Sequence, residues 1–276
     1  MTDKLEWTGK VGNSWAEEWQ RTDRSFGRLT RRLLEVARDG GFAQVLDIGC
    51  GAGEISVELA REAPSARVIG VDVSADLLEA ARSRGASLPN LRFEIGDAAA
   101  WEAGEGERPD LVISRHGVMF FDCPTAAFGH IARQAAPGAR LAFSCFRERG
   151  ENGWVRALAS ALPAGSTPAP DPDAPGPFAF GKRERVESIL SETGWREISF
   201  EPIDYSMIAG EGDDAVEDAL SYFQRIGPMA RAAAALDQDD RTELLARLRS
   251  VLGQHLENGR VALPSACWIV TARAPD

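Results

Sequence analysis

The feature that most constrains this fold is an alternation of short apolar strand patterns with helical patterns in the middle of the chain. The strand patterns are AQVLDIG, ARVIGVDV, LRFEIGD, DLVISR and RLAFSCF, and the helical patterns among them are EISVELAREA, ADLLEAARSRG and PTAAFGHIARQA. Strands that alternate with helices pair in parallel through right-handed crossovers. The sequence therefore predicts a doubly wound, mostly parallel α/β sheet.

The segments on either side of this alternation divide the chain into three predicted parts. Residues 1–44 are expected to form an N-terminal helical lid, and residues 45–150 the core. Residues 151–276 are expected to add a proline-rich loop, a helical cap and the final strands of the same sheet. The loop, Pro163 to Pro177, holds six of the 15 prolines, and so long a non-periodic segment is typical of a functional lid or of disorder.

Two further strand patterns, ISFEPIDYSMI and ACWIVTARA, close the predicted sheet. Two helices are predicted between them, in DAVEDALSYFQRI and in DDRTELLARLRSVLGQHLENG. Because they do not fit a simple crossover, we expect them to form a cap over the open end of the sheet. The second helix is predicted to begin with a capping box at Asp240 and Glu243 and to end before Gly259.

Charge and composition restrict the partners of this chain. The formal net charge is −11, so we expect no nucleic-acid partner, and the short basic cluster at Arg28–Arg32 is interpreted as the solvated side of a helix.

A run of 18 apolar residues and an apolar signal core are both absent from the sequence, which predicts a cytoplasmic protein without a membrane span. Four widely spaced cysteines predict reduced thiols and no metal site. The oligomeric state stays open, with a homodimer as one option.

The segment VLDIGCGAGEIS predicts a tight turn from a strand into a helix. Gly49, Gly51 and Gly53 lack a Cβ atom, so the backbone can lie against a ligand, and the helix adds a positive dipole end. A dinucleotide site needs G-x-G-x-x-G, whereas the spacing here is G-x-G-x-G. Asp47 and Glu54 flank the turn with negative charge, which disfavours a pyrophosphate and suits the cationic ligand S-adenosylmethionine (SAM).

The ends of the next three strands carry groups that suit the rest of such a ligand. Asp72 follows the turn at the spacing of an acid that binds a ribose diol. Asp97 and the Ala98 N–H can meet an adenine ring, and Ser114 with Arg115 lies beside the methionine part. The predicted cofactor-binding residues are Asp47, Gly49, Gly51, Gly53, Asp72, Val73, Asp97, Ala98, Ser114 and Arg115.

These motifs resemble those of the class I SAM-dependent methyltransferases over residues 45–146. VLDIGCGAGEIS is similar to the first motif of the family, GVDVS to its acidic motif and GDAAAW to its adenine motif. Together with SRHGVMFF, PGPFAF and the tryptophans near the N-terminus, they most resemble small-molecule enzymes of the ubiquinone/menaquinone-biosynthesis type. The resemblance implies a Rossmann-like sheet of seven strands with the last strand antiparallel. It also implies that Ser114 to His116 faces the methyl and methionine parts of SAM.

Methyl transfer is an in-line displacement that depends mainly on alignment, and a base is needed only when the acceptor carries a proton of high pKa. His116 is the candidate general base because it follows the fourth strand and a histidine titrates near neutrality, although packing is the more common role of a histidine at such a position. We expect a small, fairly apolar acceptor, with O- or C-methylation favoured. The predicted acceptor-pocket residues are Asn13, Trp15, Trp19, Met119, Phe178, Tyr205 and Tyr222.

Three other functions remain open at this point. The same fold could catalyse a reaction without methyl transfer, such as a cyclisation or a decarboxylation. It could bind SAM or its demethylated product without turnover. A nucleotide-dependent oxidoreductase is the third alternative, and the glycine spacing disfavours it.

Overall fold

The computed structural model of the chain describes residues 4–162 and 173–276. Residues 163–172 of the predicted proline-rich loop therefore lie outside the described residues. Residues 173–181 form a series of turns, and Pro177 in this stretch reaches the cavity described below.

One mixed sheet forms the centre of the fold and confirms the predicted seven-stranded, Rossmann-like arrangement. Its strands follow the order β3-β2-β1-β4-β5-β8-β6, and β8 is antiparallel to both of its neighbours while the inner strands are parallel. The strands are β1 (Gln44–Ile48), β2 (Arg67–Asp72), β3 (Leu91–Ile95), β4 (Leu111–Arg115), β5 (Arg140–Phe146), β6 (Arg196–Glu211), the two-residue β7 (Leu256–Glu257) and β8 (Arg260–Arg273).

Helices cover both faces of the sheet and its open end. In the described residues they are α1 (Lys4–Trp7), α2 (Lys10–Glu17), α3 (Trp19–Arg38), α4 (Glu54–Glu62), α5 (Ala75–Gly85), α6 (Pro124–Gln134), α7 (Gly153–Ala161), α8 (Arg183–Glu192), α9 (Ala215–Arg225), α10 (Gly227–Ala234) and α11 (Gln238–Gly253). The helices of the core agree with the sequence patterns. The patterns missed α7 and α10, which are short. No helix of the described segments is long and apolar enough to cross a bilayer.

The predicted start and end of the last helix are both wrong. The N-cap of α11 is Asp237, whose carboxylate accepts a hydrogen bond from the Asp240 N–H at 3.0 Å, so Asp240 and Glu243 do not form the cap. The helix ends at Gly253 because the chain then turns into the β7–β8 hairpin. Asn258 and Gly259 form that turn with positive φ angles of 51° and 72°, the backbone that an Asn-Gly hairpin turn adopts.

The long helix α3 packs on the sheet, although the sequence pattern assigned its residues to a lid. Phe26, Leu29 and Leu33 are buried against the core, and the helix lies along β4, β5 and β6. In contrast, α1 packs on α2, and α2 contacts α5. That residues 1–44 form a lid stays a prediction.

Candidate cofactor and acceptor site

A cavity of about 430 Å³ lies where β1, β2, β3 and β4 end. This is the position at which open α/β sheets bind their ligands, and the volume falls within the range of about 300–1,000 Å³ found for small-molecule sites. The loops after these strands supply one part of the lining. Residues of α1, α2, α3, α7 and α9 supply much of the rest.

The glycine turn brings backbone against backbone beside the cavity. Gly49 has a φ of 61°, and a Cβ atom there would lie 2.8 Å from the Cα of Gly117. Gly51 lines the cavity with a φ of 54°, and a Cβ atom there would meet nothing within 4 Å. Gly53 differs, because a Cβ there would meet the Phe93 ring at 2.9 Å and the residue is outside the lining. Gly53 thus serves the packing of α4 against β3.

Asp72 connects the glycine turn to the loop after β2. Its buried carboxylate accepts hydrogen bonds from the Gly51 N–H at 2.8 Å and from the Ser74 N–H at 2.9 Å. Burial raises the pKa of this carboxyl above its usual value. Each carboxylate oxygen keeps a further lone pair, so Asp72 can accept hydrogen bonds from a diol in the cavity.

Asp47 is the second buried acid of the cavity lining. The Ser56 hydroxyl donates a hydrogen bond of 2.6 Å to its carboxylate. Burial raises the pKa of Asp47 to about 7, against the opposing effect of that hydrogen bond. Near neutral pH, a cation in the cavity would therefore favour the ionised form of Asp47.

The loop after β3 supplies the third acid. Asp97 caps a single 3₁₀ turn (Ala98–Ala100), since its carboxylate accepts a hydrogen bond from the Ala99 N–H at 2.9 Å. Asp97 and Ala98 both line the cavity, as does Val73 from the loop after β2. Polar groups therefore lie at successive strand ends along one side of the cavity.

Ser114 and Arg115 end β4 and have different surroundings. The Ser114 hydroxyl donates to the Ile48 carbonyl at 2.7 Å and accepts from the Gly117 N–H at 3.1 Å. Ser114 is fully buried and outside the lining, so it ties β4 to the glycine turn. Arg115 lines the cavity and pairs with Glu54 and, at 3.5 Å, with Asp23.

The ion pair between Arg115 and Glu54 changes the charge that the sequence predicted at the start of α4. Glu54 was expected to repel an anion at the start of α4, but Arg115 and the Thr30 hydroxyl contact its carboxylate. The sequence patterns also assigned no role to Asp23, which pairs with Arg84 at 2.7 Å as well as with Arg115. These pairs connect α3 to α4, α5 and β4 beside the cavity.

The predicted acceptor-pocket residues divide into two groups. Those that line the cavity are Trp15, Trp19, Met119 and Tyr222. Asn13 is exposed on α2 and lies outside the lining. Phe178 stacks on Trp154, with ring centres 5.8 Å apart, and Tyr205 is buried with its hydroxyl 4.0 Å from the Cys267 sulfur. Phe178 and Tyr205 therefore lie behind the residues that form the lining.

Sequence patterns missed aromatic residues of the lining, among them Trp7, Phe146, Trp154 and Phe223. We define the aromatic wall as the lining residues Trp7, Trp15, Phe120, Phe146, Trp154 and Phe223. These residues belong to elements that are far apart in the chain, and α7, which carries Trp154, has no clear helical pattern. An aromatic residue on a helix usually packs in the hydrophobic core, so its sequence pattern does not predict a place beside a cavity. The position of these residues depends on the tertiary fold.

The chain resembles known proteins over the part that carries the glycine turn. A family described as a methyltransferase domain matches residues 45–138. The chain is 34% identical over 154 residues to a trans-aconitate 2-methyltransferase of Variovorax paradoxus (strain S110), covering 55% of this chain and 53% of that protein. It is 31% identical over 123 residues to a malonyl-[acyl-carrier protein] O-methyltransferase of Halalkalibacterium halodurans, covering 43% of this chain and 45% of that protein.

Residues 45–138 therefore match a methyltransferase domain. A solved structure agrees on the fold: Haemonchus contortus phosphoethanolamine N-methyltransferase 2 in complex with SAM has a TM-score of 0.57 at 17% identity, with 100% of this chain and 61% of that chain covered.

The curated methyltransferases cover too little of the chain to define the activity of the whole protein. The chain spans about half the length of the curated relatives it matches. By name, these two kinds of enzyme act on trans-aconitate or on malonyl-[acyl-carrier protein]. They do not support the finer resemblance to the ubiquinone/menaquinone type.

Within this methyltransferase domain, His116 occupies a buried, aromatic position. It adopts a left-handed φ of 66°, and its ring stacks on Phe146 with centres 4.4 Å apart and meets the edge of Phe26 at 5.1 Å. Burial, together with the charge of Arg115, lowers the pKa of His116 to about 3. The expectation that this histidine titrates near neutrality is therefore wrong, and a neutral imidazole faces the cavity at pH 7.

The pH dependence of stability tests this assignment. Between pH 6.5 and about 3, the unfolded chain protonates His116 and the folded chain does not. This residue alone should therefore lower the wild-type free energy of unfolding by up to about 1.4 kcal/mol for each unit by which the pH decreases. In His116→Asn this contribution is absent, and asparagine tolerates a left-handed backbone. Urea unfolding from pH 7 to pH 4 should show the wild type losing stability relative to the variant, and a pH-independent difference would contradict the assignment.

Proposed function

We propose that this chain transfers the methyl group of SAM to a small, fairly apolar molecule, with an oxygen or carbon atom as the acceptor. The observation that carries this proposal is that one cavity is lined both by the polar loops after β1, β2 and β3 and by the aromatic wall. A donor held by those loops and an acceptor packed on those rings would share one space. Alignment of the two is the main requirement of the reaction.

The charges of the lining fit SAM. Five aspartates line the cavity, whereas Arg115 is the one lysine or arginine among the described lining residues. Two of these aspartates, Asp47 and Asp72, are almost fully buried. An acidic lining of this kind stabilises a cation and disfavours the pyrophosphate of a dinucleotide.

The strand ends give each part of the cofactor a partner in this proposal. Asp72 would accept hydrogen bonds from the ribose hydroxyls, and Asp97 with the Ala98 N–H would bind the adenine. Gly49 and Gly51 would let the backbone approach the methionine part, with Asp47 near its ammonium group and Arg115 near its carboxylate. When bound, SAM supplies a methyl group on a positively charged sulfur, which is a good leaving group.

The residues around the acceptor position do not favour general-base catalysis. Burial lowers the pKa of His116 to about 3 and raises that of Tyr222. The acceptor would therefore bring its own nucleophile, such as a phenolate or an enolate formed in solution. The same observation favours, as a second candidate, a reaction that depends on an enclosed shape, such as a cyclisation.

A methyl-transfer assay separates these candidates. The protein would be incubated with SAM labelled in its methyl group and a panel of phenols, quinols and small acids, with Asp72→Asn as the inactive control. We expect label in at least one phenol or quinol with the wild type and none with the variant. Binding of SAM without transfer to any member of the panel would favour the second candidate, and absence of SAM binding would overturn both.

A further inference from the structure

Trp7 carries a buried hydrogen-bond donor that no described residue satisfies. The residue lines the cavity, and its indole Nε1 is buried with no hydrogen-bond partner among the described residues. Buried N–H groups almost always have a partner, because leaving one unpaired costs stability. A donor of this kind beside a ligand cavity suggests that a ligand atom supplies the missing acceptor.

Packing holds the Trp7 ring in this position. The ring contacts the edge of Phe120 at 5.2 Å and the Trp15 ring at 5.7 Å between centres. Its backbone is also enclosed, since a Cβ atom on Gly12 would lie 2.2 Å from the Trp7 carbonyl and 2.3 Å from the Ser74 hydroxyl. The glycine thus allows α2 to sit between Trp7 and Ser74, the N-cap of α5, two residues after Asp72.

A second tryptophan of the aromatic wall, Trp154, differs from Trp7 in having a partner for its indole N–H. The Trp154 indole N–H donates to the Asn152 side-chain oxygen at 3.1 Å. That oxygen also accepts from the Ala266 N–H at 2.9 Å, so Trp154 belongs to a buried polar network. Its donor is consequently not available to a ligand.

The ion pairs of the cavity argue against an acceptor with several carboxylates. Among the described residues that line the cavity, Arg115 is the one lysine or arginine, and it contacts both Glu54 and Asp23. A tricarboxylate such as trans-aconitate would bring three negative charges to a cavity lined by five aspartates. Charges of the same sign at close range oppose binding, so the lining disfavours a tricarboxylate acceptor.

Resting on the proposed methyl transfer, we propose that the acceptor is a planar aromatic molecule without carboxylate groups, with an oxygen that accepts a hydrogen bond from the Trp7 indole N–H. Its ring would pack on Trp15 and Phe120, which already contact Trp7. This assigns Trp7 as a residue that determines specificity. It also gives the indole N–H a role that a phenylalanine at this position could not supply.

Two probes of nearly equal shape measure the contribution of that hydrogen bond. 2-Naphthol carries a hydroxyl where 2-methylnaphthalene carries a methyl group, so the ratio of their dissociation constants isolates the oxygen. Equilibrium dialysis against protein saturated with S-adenosylhomocysteine, the demethylated product of SAM, would give this ratio, with trans-aconitate as the charged comparison. In the wild type we expect 2-naphthol to bind more tightly than either of the other two.

The variants Trp7→Phe and Trp154→Phe form a matched pair. Trp7→Phe should reduce the preference for 2-naphthol over 2-methylnaphthalene about 5- to 10-fold, the value of one hydrogen bond. It should keep the wild-type unfolding midpoint and affinity for S-adenosylhomocysteine. Trp154→Phe should instead lower the unfolding midpoint and keep the preference.

Each contrary result has its own meaning. A preference that is equal in the wild type and in Trp7→Phe, or tighter binding of trans-aconitate than of 2-naphthol, would overturn this inference alone. Failure of the wild type to bind S-adenosylhomocysteine would overturn the proposed function and this inference with it.

Discussion

Asp72→Asn should weaken the binding of SAM by roughly 100-fold or more. The wild-type carboxylate accepts hydrogen bonds from Gly51 and Ser74, and in the proposed complex it accepts two more from the ribose. Loss of two charge-assisted hydrogen bonds at about 1.5 kcal/mol each corresponds to that factor. The amide NH₂ of the variant would also face a backbone N–H, so the glycine turn would lose part of its support.

The exposed residue Asp76 provides the control for this prediction. Asp76→Asn makes the same chemical change in the first turn of α5, four residues away from Asp72. Calorimetric titration with SAM should give a wild-type dissociation constant for Asp76→Asn and a greatly raised one for Asp72→Asn. Equal affinities in the two variants would mean that the ribose does not bind at Asp72.

Gly49→Ala should destabilise the fold by about 2–5 kcal/mol and abolish measurable SAM binding. An alanine in the left-handed region costs about 1–2 kcal/mol, and Gly49 has a φ of 61°. Its new Cβ would also lie 2.8 Å from the Gly117 Cα, and overpacking of this kind adds about 1–3 kcal/mol. Because the clash involves the backbone at Gly49 and Gly117, it can be relieved only if the glycine turn and the loop after β4 move apart.

Gly138→Ala isolates the steric part of this effect. Gly138 has a similar φ of 68°, but no atom lies within 4 Å of the added Cβ. We expect the free energy of unfolding of this variant to fall only by the backbone cost of about 1–2 kcal/mol, and we expect the variant to bind SAM normally. Urea unfolding and calorimetry on both variants measure the difference. If Gly49→Ala is no less stable than Gly138→Ala, the close contact with Gly117 does not exist in solution.

The cofactor side of the cavity was predictable because local signals agree there. The strands β1, β2 and β4 are short apolar runs and β3 alternates apolar with charged residues. Each ends at a polar or glycine residue, and parallel strands bring these ends to one edge. Gly53 is the exception among the glycines, since the residue that it contacts, Phe93, lies on another strand. A spacing pattern cannot distinguish a glycine needed for a ligand from one needed for packing.

The acceptor side could not be predicted in the same way. Trp7, Trp154 and Phe223 come from three separate helices that meet only in the folded chain. The environment of His116 is likewise tertiary, because its pKa depends on rings from α3 and β5. Sequence reasoning placed this histidine beside the cavity but assigned it the titration of an exposed imidazole.

Calorimetric titration of the wild-type chain with SAM and, separately, with NAD tests the central claim most directly. The acidic lining and the G-x-G-x-G turn predict one SAM molecule bound per chain and no measurable binding of NAD. Tighter binding of NAD than of SAM would contradict the account, because the cavity would then accept a pyrophosphate beside Asp47 and Asp72.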